Sequence, residues 1–158
     1  MIDLHRILVP TDFGKSSDNA LTYAAAFAQK FGAKVWLLHV VQDVTLFIPE
    51  AVFTTPPPVP PVEQFIAAAR AALERAVKGL NVDGLTVQPE VGVGPPADEI
   101  VRYAKDNKTD LIVMGTHGHT GLAHVVLGSV AEKVVRMAPC PVLVVRDSER
   151  EFVHPDPA

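Results

Sequence analysis

Short runs of aliphatic residues alternate along the chain with longer stretches in which apolar residues recur every three or four positions. The runs have the length of buried β-strands, and the stretches between them have the spacing of amphipathic helices. The predicted strands cover residues 6–10, 34–41, 85–91, 110–114 and 142–145. The predicted helices run from Ser16 or Ser17 to about Phe31, from about Pro61 to Gly79, from the Gly94–Glu99 segment to about Asn107, and from about Ser129 to Met137.

Residues at the ends and on the faces of these segments refine the prediction. Ser16 or Ser17 is expected to cap the first helix, and Gly32 to end it. The third run alternates apolar with polar residues and contains Pro89, which indicates a strand nearer the edge of a sheet. The second helix is expected to bury a stripe made of Phe65, Ala69, Ala72, Leu73 and Ala76.

Aliphatic strands separated by helices predict an α/β fold with a five-stranded, mainly parallel sheet covered on both faces. Right-handed crossovers make it a doubly wound three-layer sandwich. We expect one domain over residues 1–146, with a proline-rich loop insertion at residues 42–61 and a mobile C-terminal tail at residues 147–158. Such sheets bind ligands at the carboxyl ends of their strands, where the strand order reverses. The residues after the first, second and fourth runs are therefore the candidate site.

Composition excludes several classes of protein. The chain has 158 residues, of which 48% are hydrophobic and 20% charged, and a net charge of −4. Nothing in it demands the basic face of a nucleic-acid binder, and no apolar run reaches the roughly 18–20 residues that cross a bilayer. Cys140 is the single cysteine, so an internal disulfide is impossible and a reducing compartment is favoured. We expect a cytoplasmic protein with neither nucleic acid nor membrane as partner.

A glycine-patterned segment from Met114 to Ser129 is the most informative part of the sequence. Gly115 follows an aliphatic strand, Gly118 comes three positions later, and Gly128-Ser129 opens the last helix. Glycine accepts positive φ and lets backbone N–H groups approach an anion, and a helix N-terminus favours phosphate. No G-x-G-x-x-G follows the first strand, and Gly14-Lys15-Ser16 lacks the leading glycine of a P-loop. The segment predicts phosphate binding by another loop.

The spacing G-x2-G-x9-G-[ST], formed by Gly115, Gly118, Gly128 and Ser129, resembles the ATP-binding signature of the universal stress protein family. Further blocks at residues 7–13, 37–41, 127–135 and 138–145 are similar to that family in the same order. The resemblance covers the chain apart from the proline-rich loop and the residues after Arg146. It implies a Rossmann-like fold of the nucleotide-binding α-hydrolase type.

The resemblance also implies roles for residues at the strand ends. Asp12, beside Pro10 and Thr11, would contact the ribose or the adenine of a bound nucleotide. The backbone near Val40 and Val41 would pair with the adenine edge. The residues that would flank the sugar or hold the phosphates are Met114, Gly115, Gly118, Gly128, Ser129 and Val130.

A metal and a second subunit are implied in the same way. ATP would carry Mg²⁺ or Mn²⁺, held mainly through the phosphates and not by a protein ligand set. The strand Val142–Val145 would pair with its counterpart in a homodimer, and an aliphatic edge strand needs a cover in any case.

Histidines stand where many family members carry basic residues. Between Thr109 and Glu132 the chain has no lysine or arginine, but it has His117, His119 and His124. We predict that His117 and His119 contribute to phosphate binding and make it depend on pH near neutrality. Two alternatives stay open: solvated loop residues, or a transition-metal site. By contrast, His39 lies inside a strand run and is expected to be a core histidine with its hydrogen bonds satisfied.

The leading functional prediction is an ATP-binding stress-response or regulatory protein whose nucleotide state modulates the surface shown to a protein partner. The loop offers neither a fixed cation nor an evident general base, so at most weak ATP hydrolysis is expected. The alternatives are a dimeric interaction module that binds no nucleotide, and an enzyme, either a slow ATPase or a nucleotide-dependent transferase.

Overall fold

A computed structural model describes residues 1–42, 60–80, 82–116 and 127–146. Most of the predicted proline-rich insertion, the predicted tail, and the predicted site residues His117, Gly118 and His119, together with His124, lie outside the described residues. The strands are β1 (Arg6–Pro10), β2 (Lys34–Val41), β3 (Val87–Val93), β4 (Leu111–Gly115) and β5 (Val142–Val145). The helices are α1 (Lys15–Phe31), α2 (Val62–Gly79), α3 (Pro96–Asp106) and α4 (Ser129–Met137).

The strands form one five-stranded parallel sheet in the order β3-β2-β1-β4-β5. The order reverses between β1 and β4, where Leu8 of β1 pairs with Ile112 of β4. One hydrophobic core, which includes Val9, Ala24 and Leu73, lies between the sheet and the helices α1 and α2. A second, which includes Leu8 and Ile100, lies between the sheet and the helices α3 and α4. The predicted α/β sandwich is confirmed, since helices cover both faces.

The start of α1 differs from the prediction. Gly14 is the N-cap residue, and the helix makes no side-chain cap hydrogen bond. The helix begins earlier in the sequence than predicted, since its first intrahelical hydrogen bond runs from the N–H of Asp18 to the carbonyl of Gly14 at 3.0 Å. Ser16 and Ser17 are consequently buried inside the first turn and do not cap the helix. The other end agrees with the prediction, since Gly32 is the left-handed C-cap with a φ of 69°.

The buried stripe of α2 is shifted from the predicted one. Ala69 and Leu73 are buried as expected, but Phe65 is 40% exposed. Ile66 is half-buried instead, because it lies two helical turns before Leu73 and so shares its face. The prediction for Phe65 was wrong by one position around the helix.

The two ends of the sheet have different characters. β3 is an edge strand, as predicted, and tolerates Pro89, which has no N–H to donate. β5 forms the opposite edge.

Among the residues that the structure describes, no helix is long and apolar enough to cross a membrane.

Candidate functional site

A cavity of about 400 Å³ opens at the carboxyl ends of the strands, at the point where the strand order reverses between β1 and β4. This size falls within the range of small-molecule sites. Residues from β1, β2, β4 and the first turns of α1, α3 and α4 line the cavity. The predicted site residues among them are Pro10, Thr11, Asp12, Val40, Met114, Gly115, Gly128, Ser129 and Val130.

The Asp12 carboxylate is held by one of its two oxygens. Oδ1 accepts hydrogen bonds from the N–H of Gly14 at 2.9 Å and from the hydroxyl of Ser17 at 3.0 Å. Oδ2 is buried and has no hydrogen-bond partner among the described residues. A buried carboxylate oxygen without a donor destabilises the fold, so this atom is where a ligand donor would be most favourable.

The backbone beside Asp12 is fixed by β2. The N–H of Thr11 donates to the carbonyl of Leu38 at 2.8 Å, and the carbonyl of Thr11 lies 2.8 Å from Nδ1 of His39. A carbonyl only accepts, so Nδ1 carries the proton and donates. The His39 ring also packs against Phe13, with ring centroids 4.6 Å apart. The expectation of a satisfied core histidine was therefore only partly right, since Nδ1 of His39 has a partner but the residue is half-buried and lines the cavity.

The packing of a helix requires a residue without a Cβ at position 115. A Cβ built on Gly115 would lie 2.8 Å from the carbonyl carbon of Ser16, closer than a Cβ approaches a non-bonded atom in proteins. Neither Gly115 nor Gly128, whose φ is −67°, uses the positive φ that glycine permits. The close approach of α1 to β4, and not backbone conformation, explains the glycine at position 115.

The N-terminus of α4 supplies the polar end of the cavity. The first intrahelical bond runs from the N–H of Glu132 to the carbonyl of Gly128 at 2.9 Å, so the N–H groups of Ser129, Val130 and Ala131 precede it. These three residues line the cavity, and Ser129 is exposed. With the positive end of the helix dipole, they form a site suited to an anion.

Two hydrogen bonds fix where the chain enters and leaves the undescribed part of the glycine-patterned segment. The N–H of Thr116 donates to the carbonyl of Val145 at 3.1 Å, and the N–H of Gly128 donates to the carbonyl of Thr116 at 2.7 Å. The ends of the segment are thus joined directly at the wall of the cavity.

Val41 stands apart from the other predicted site residues. Its side chain is buried, it does not line the cavity, and its carbonyl accepts a hydrogen bond from the N–H of Gly94 at 3.0 Å. The backbone pairing with adenine therefore stays a prediction, for which Val40 is the better placed residue.

Several cavity residues were not predicted as site residues. Pro96 and Ile100 come from α3, which follows β3, and the sequence gives no reason to search there. Ser17 was expected to act as a helix cap. The remaining unpredicted lining residues are Leu38, His39, Gln42, Thr116 and Ala131, most of them neighbours of predicted ones. These residues could have been predicted from their position next to the predicted site residues in the sequence.

Among the described residues that line the cavity, charged and metal-binding side chains are sparse. Burial, reinforced by the negative charge of Asp12, raises the pKa of Asp18 in the first turn of α1. Lys133, on α4, is paired with Asp98 at 2.7 Å. The described residues contain no group of three or more side chains that could hold a metal ion.

Comparison with known proteins gives this arrangement a context. The chain matches the model of the universal stress protein family over residues 4–146. It is 38% identical to universal stress protein MJ0531 of Methanocaldococcus jannaschii over 146 residues, which cover 92% of this chain and 84% of that protein.

Solved structures agree with the sequence comparison. The structure of protein MJ0577, from the same organism, superposes with a TM-score of 0.76 at 33% identity, covering 94% of this chain and all of that one (100%). A universal stress protein in complex with cAMP superposes with a TM-score of 0.63 at 27% identity, covering 93% and 100%. This chain belongs to the universal stress protein family.

Proposed function

We propose that this protein binds ATP in the cavity at the strand ends and acts as a stress-response or regulatory protein. One observation carries the proposal: Asp12, whose Oδ2 has no donor among the described residues, lines the same cavity as the first residues of α4, whose N–H groups are free of intrahelical bonds. A ligand with hydroxyl donors and an anionic group would satisfy both. A nucleotide has this chemistry, and the related protein solved with cAMP binds an adenine nucleotide.

The order of the strands favours one orientation of ATP. β1 lies between β2 and β4 in the sheet, so Asp12 lies between Val40 and Gly115 at the strand ends. Phosphates at the N-terminus of α4 would lie on the β4 side, and the base would lie on the β2 side, near Val40. The ribose would then lie over Asp12, and its hydroxyls would donate to Oδ2.

The metal in this proposal arrives with the nucleotide. Mg²⁺ or Mn²⁺ would neutralise part of the triphosphate charge, held mainly by phosphate oxygens. Backbone N–H groups of Ser129, Val130 and Ala131 would bind the remaining phosphate oxygens. These donors serve a bound and a reacting triphosphate about equally, so they give affinity without a large rate enhancement. We therefore assign binding, with at most weak hydrolysis, as the function of the site.

A regulatory role follows from where the phosphates would bind. Gly128 and Thr116 are hydrogen-bonded to each other at the two ends of the segment of residues 117–127. A triphosphate on the N-terminus of α4 would act at both ends of that segment at once. We infer that ATP changes the surface that this segment presents to a protein partner.

We also propose a homodimer that joins copies of the chain along β5. β5 is an edge strand, and α4, the helix before it, exposes Val135 (47%) and Met137 (49%). Val135→Glu should shift the chain toward monomer in analytical ultracentrifugation. Val93→Glu, the same change at a similarly exposed valine (41%) on the opposite edge strand, should not. Equal behaviour of the two variants would rule out the β5 edge.

Isothermal titration calorimetry with Asp12→Asn tests the nucleotide site. This change nearly preserves shape but replaces a charged acceptor, so the dissociation constant for Mg-ATP should rise at least about tenfold. Asp83→Asn is the matched control, because Asp83 is exposed and precedes β3, at the opposite end of the strands. Binding that is equally strong in both variants, or no binding by the unaltered protein, would reject the proposal.

A further inference from the structure

Ser17 contacts both the cavity and Asp12, which a serine with a purely structural role in a helix would not need to do. It is 5% exposed, lies in the first turn of α1 and lines the cavity. Its Oγ accepts a hydrogen bond from the Thr11 hydroxyl at 3.1 Å and lies 3.0 Å from Oδ1 of Asp12 and 2.8 Å from the carbonyl of Gly14.

Ser17 has one hydroxyl proton, which can be donated either to Oδ1 of Asp12 or to the carbonyl of Gly14. The carbonyl of Gly14 already accepts the N–H of Asp18 at 3.0 Å, which closes the first turn of the helix. Hydrogen bonds to a carboxylate are about twice as strong as those to a neutral carbonyl. The proton therefore goes to Asp12.

The direction of the Thr11 hydroxyl is fixed in the same way. The N–H of Phe13 donates to Oγ1 of Thr11 at 3.0 Å, and Thr11 donates to Ser17. The result is a one-directional chain of donors that ends on Oδ1 of Asp12. Since the N–H of Gly14 also donates to Oδ1, this oxygen has two donors and the carboxylate is held against rotation.

We propose that Ser17 is a positioning residue of the nucleotide site, which holds Oδ1 of Asp12 by a hydrogen bond and leaves Oδ2 to accept a hydrogen bond from a ribose hydroxyl. This inference rests on the proposed function and names the sugar as the group whose recognition Ser17 controls. Without the Ser17 hydroxyl, Oδ1 keeps only the Gly14 donor, and the carboxylate no longer has one preferred orientation.

A pair of neighbouring serines provides the test. Ser16 is as buried as Ser17 (4% against 5%) and lies in the same turn, but it makes no hydrogen bond through Oγ among the described residues and does not line the cavity. Ser17→Ala and Ser16→Ala are titrated calorimetrically with Mg-ATP and with Mg-2′,3′-dideoxy-ATP, which lacks both ribose hydroxyls.

Ser17→Ala should weaken ATP binding about five- to tenfold, the effect of one charge-assisted hydrogen bond acting at one remove. It should leave dideoxy-ATP binding within about twofold of the unaltered protein, because that ligand has no hydroxyl for Asp12 to meet. Ser16→Ala should change neither affinity. A general loosening of the fold would instead weaken both nucleotides together.

The outcomes separate this inference from the proposed function. If Ser17→Ala weakens both nucleotides equally, or neither, Ser17 does not position Asp12 although ATP binding stands. If the unaltered protein binds no ATP, the proposed function fails and takes this inference with it. If Ser17→Ala does not fold, Ser17→Cys replaces it, because a thiol fills the space of the hydroxyl but is a weak donor, and the same pattern is expected.

Discussion

Gly115, the last residue of β4, lies against the backbone of Ser16, so that a Cβ at position 115 would be 2.8 Å from the Ser16 carbonyl carbon. This contact brings the first turn of α1 to the end of β4, at the point where the strand order reverses. Ser17, on the same turn, and Asp12, in the loop before it, line the cavity together with the first residues of α4. The cavity owes its shape to this approach of a helix to a strand.

Gly115→Ala should lower the free energy of unfolding by about 1–3 kcal/mol, because the backbone of Ser16 has to move to admit a methyl group. Gly79→Ala is the control, since nothing lies within 4 Å of a Cβ at Gly79, in the last turn of α2. Alanine there should leave stability unchanged or raise it by up to about 1 kcal/mol. Urea denaturation of both variants measures the difference, and equal stabilities would contradict the account of the contact.

The two buried serines of α1 should respond to alanine with opposite signs. Ser16→Ala removes a buried hydroxyl that has no partner among the described residues and should raise the free energy of unfolding by about 1 kcal/mol. Ser17→Ala breaks the bond to Asp12 and should lower it by a similar amount. Chemical denaturation without ligand gives both values. Destabilisation by Ser16→Ala would show that its hydroxyl has a partner.

ATP should bind more tightly at pH 6 than at pH 8. Imidazoles gain their positive charge as the pH falls through neutrality, and His117, His119 and His124 lie in the sequence between Gly115 and Gly128. Calorimetry at both pH values, with metal and salt fixed, measures the difference. Changing the three histidines to asparagine should abolish it, whereas His5→Asn, at an exposed residue near the N-terminus, should not. Equal affinities for the unaltered protein at both values would refute the histidine hypothesis.

Stability should decline above pH 10 in part through Tyr103. Burial, with the nearby charge of Glu90, raises the pKa of Tyr103 from 10.0 to about 12. The unfolded chain therefore loses this proton first, so the contribution is complete below pH 10 and is lost as the pH rises toward 12. Tyr103→Phe should show a shallower decline of the melting temperature across this window. A decline of identical slope would mean that Tyr103 ionises normally in the fold.

The sequence predicted the architecture because each strand carries its own signal. Aliphatic runs marked the strands, and Ser129 and Met137, the predicted ends of α4, are its ends in the structure. Pro89 correctly indicated an edge strand. The predicted cap of α1 was wrong because Gly14, whose N–H donates to Asp12, is the N-cap residue and starts the helix before the serines.

Parts of the site could not be predicted because they depend on packing between distant elements. Pro96 and Ile100 reach the cavity only because α3 packs over β2. Only the three-dimensional structure shows that Oδ2 of Asp12 is buried without a donor among the described residues. Gly115 was singled out for its freedom near phosphate, whereas the structure explains it by the proximity of Ser16. The pattern was informative, but its physical cause was a different one.

The melting temperature with and without ATP tests the central claim most directly. A ligand at about one hundred times its dissociation constant stabilises a fold by about 2.7 kcal/mol, which for a domain of this size is a rise of roughly 5–10 °C. We expect such a rise with millimolar ATP and magnesium, and a much smaller one for Asp12→Asn. A melting temperature that ATP leaves unchanged would contradict the assignment of a nucleotide to this cavity.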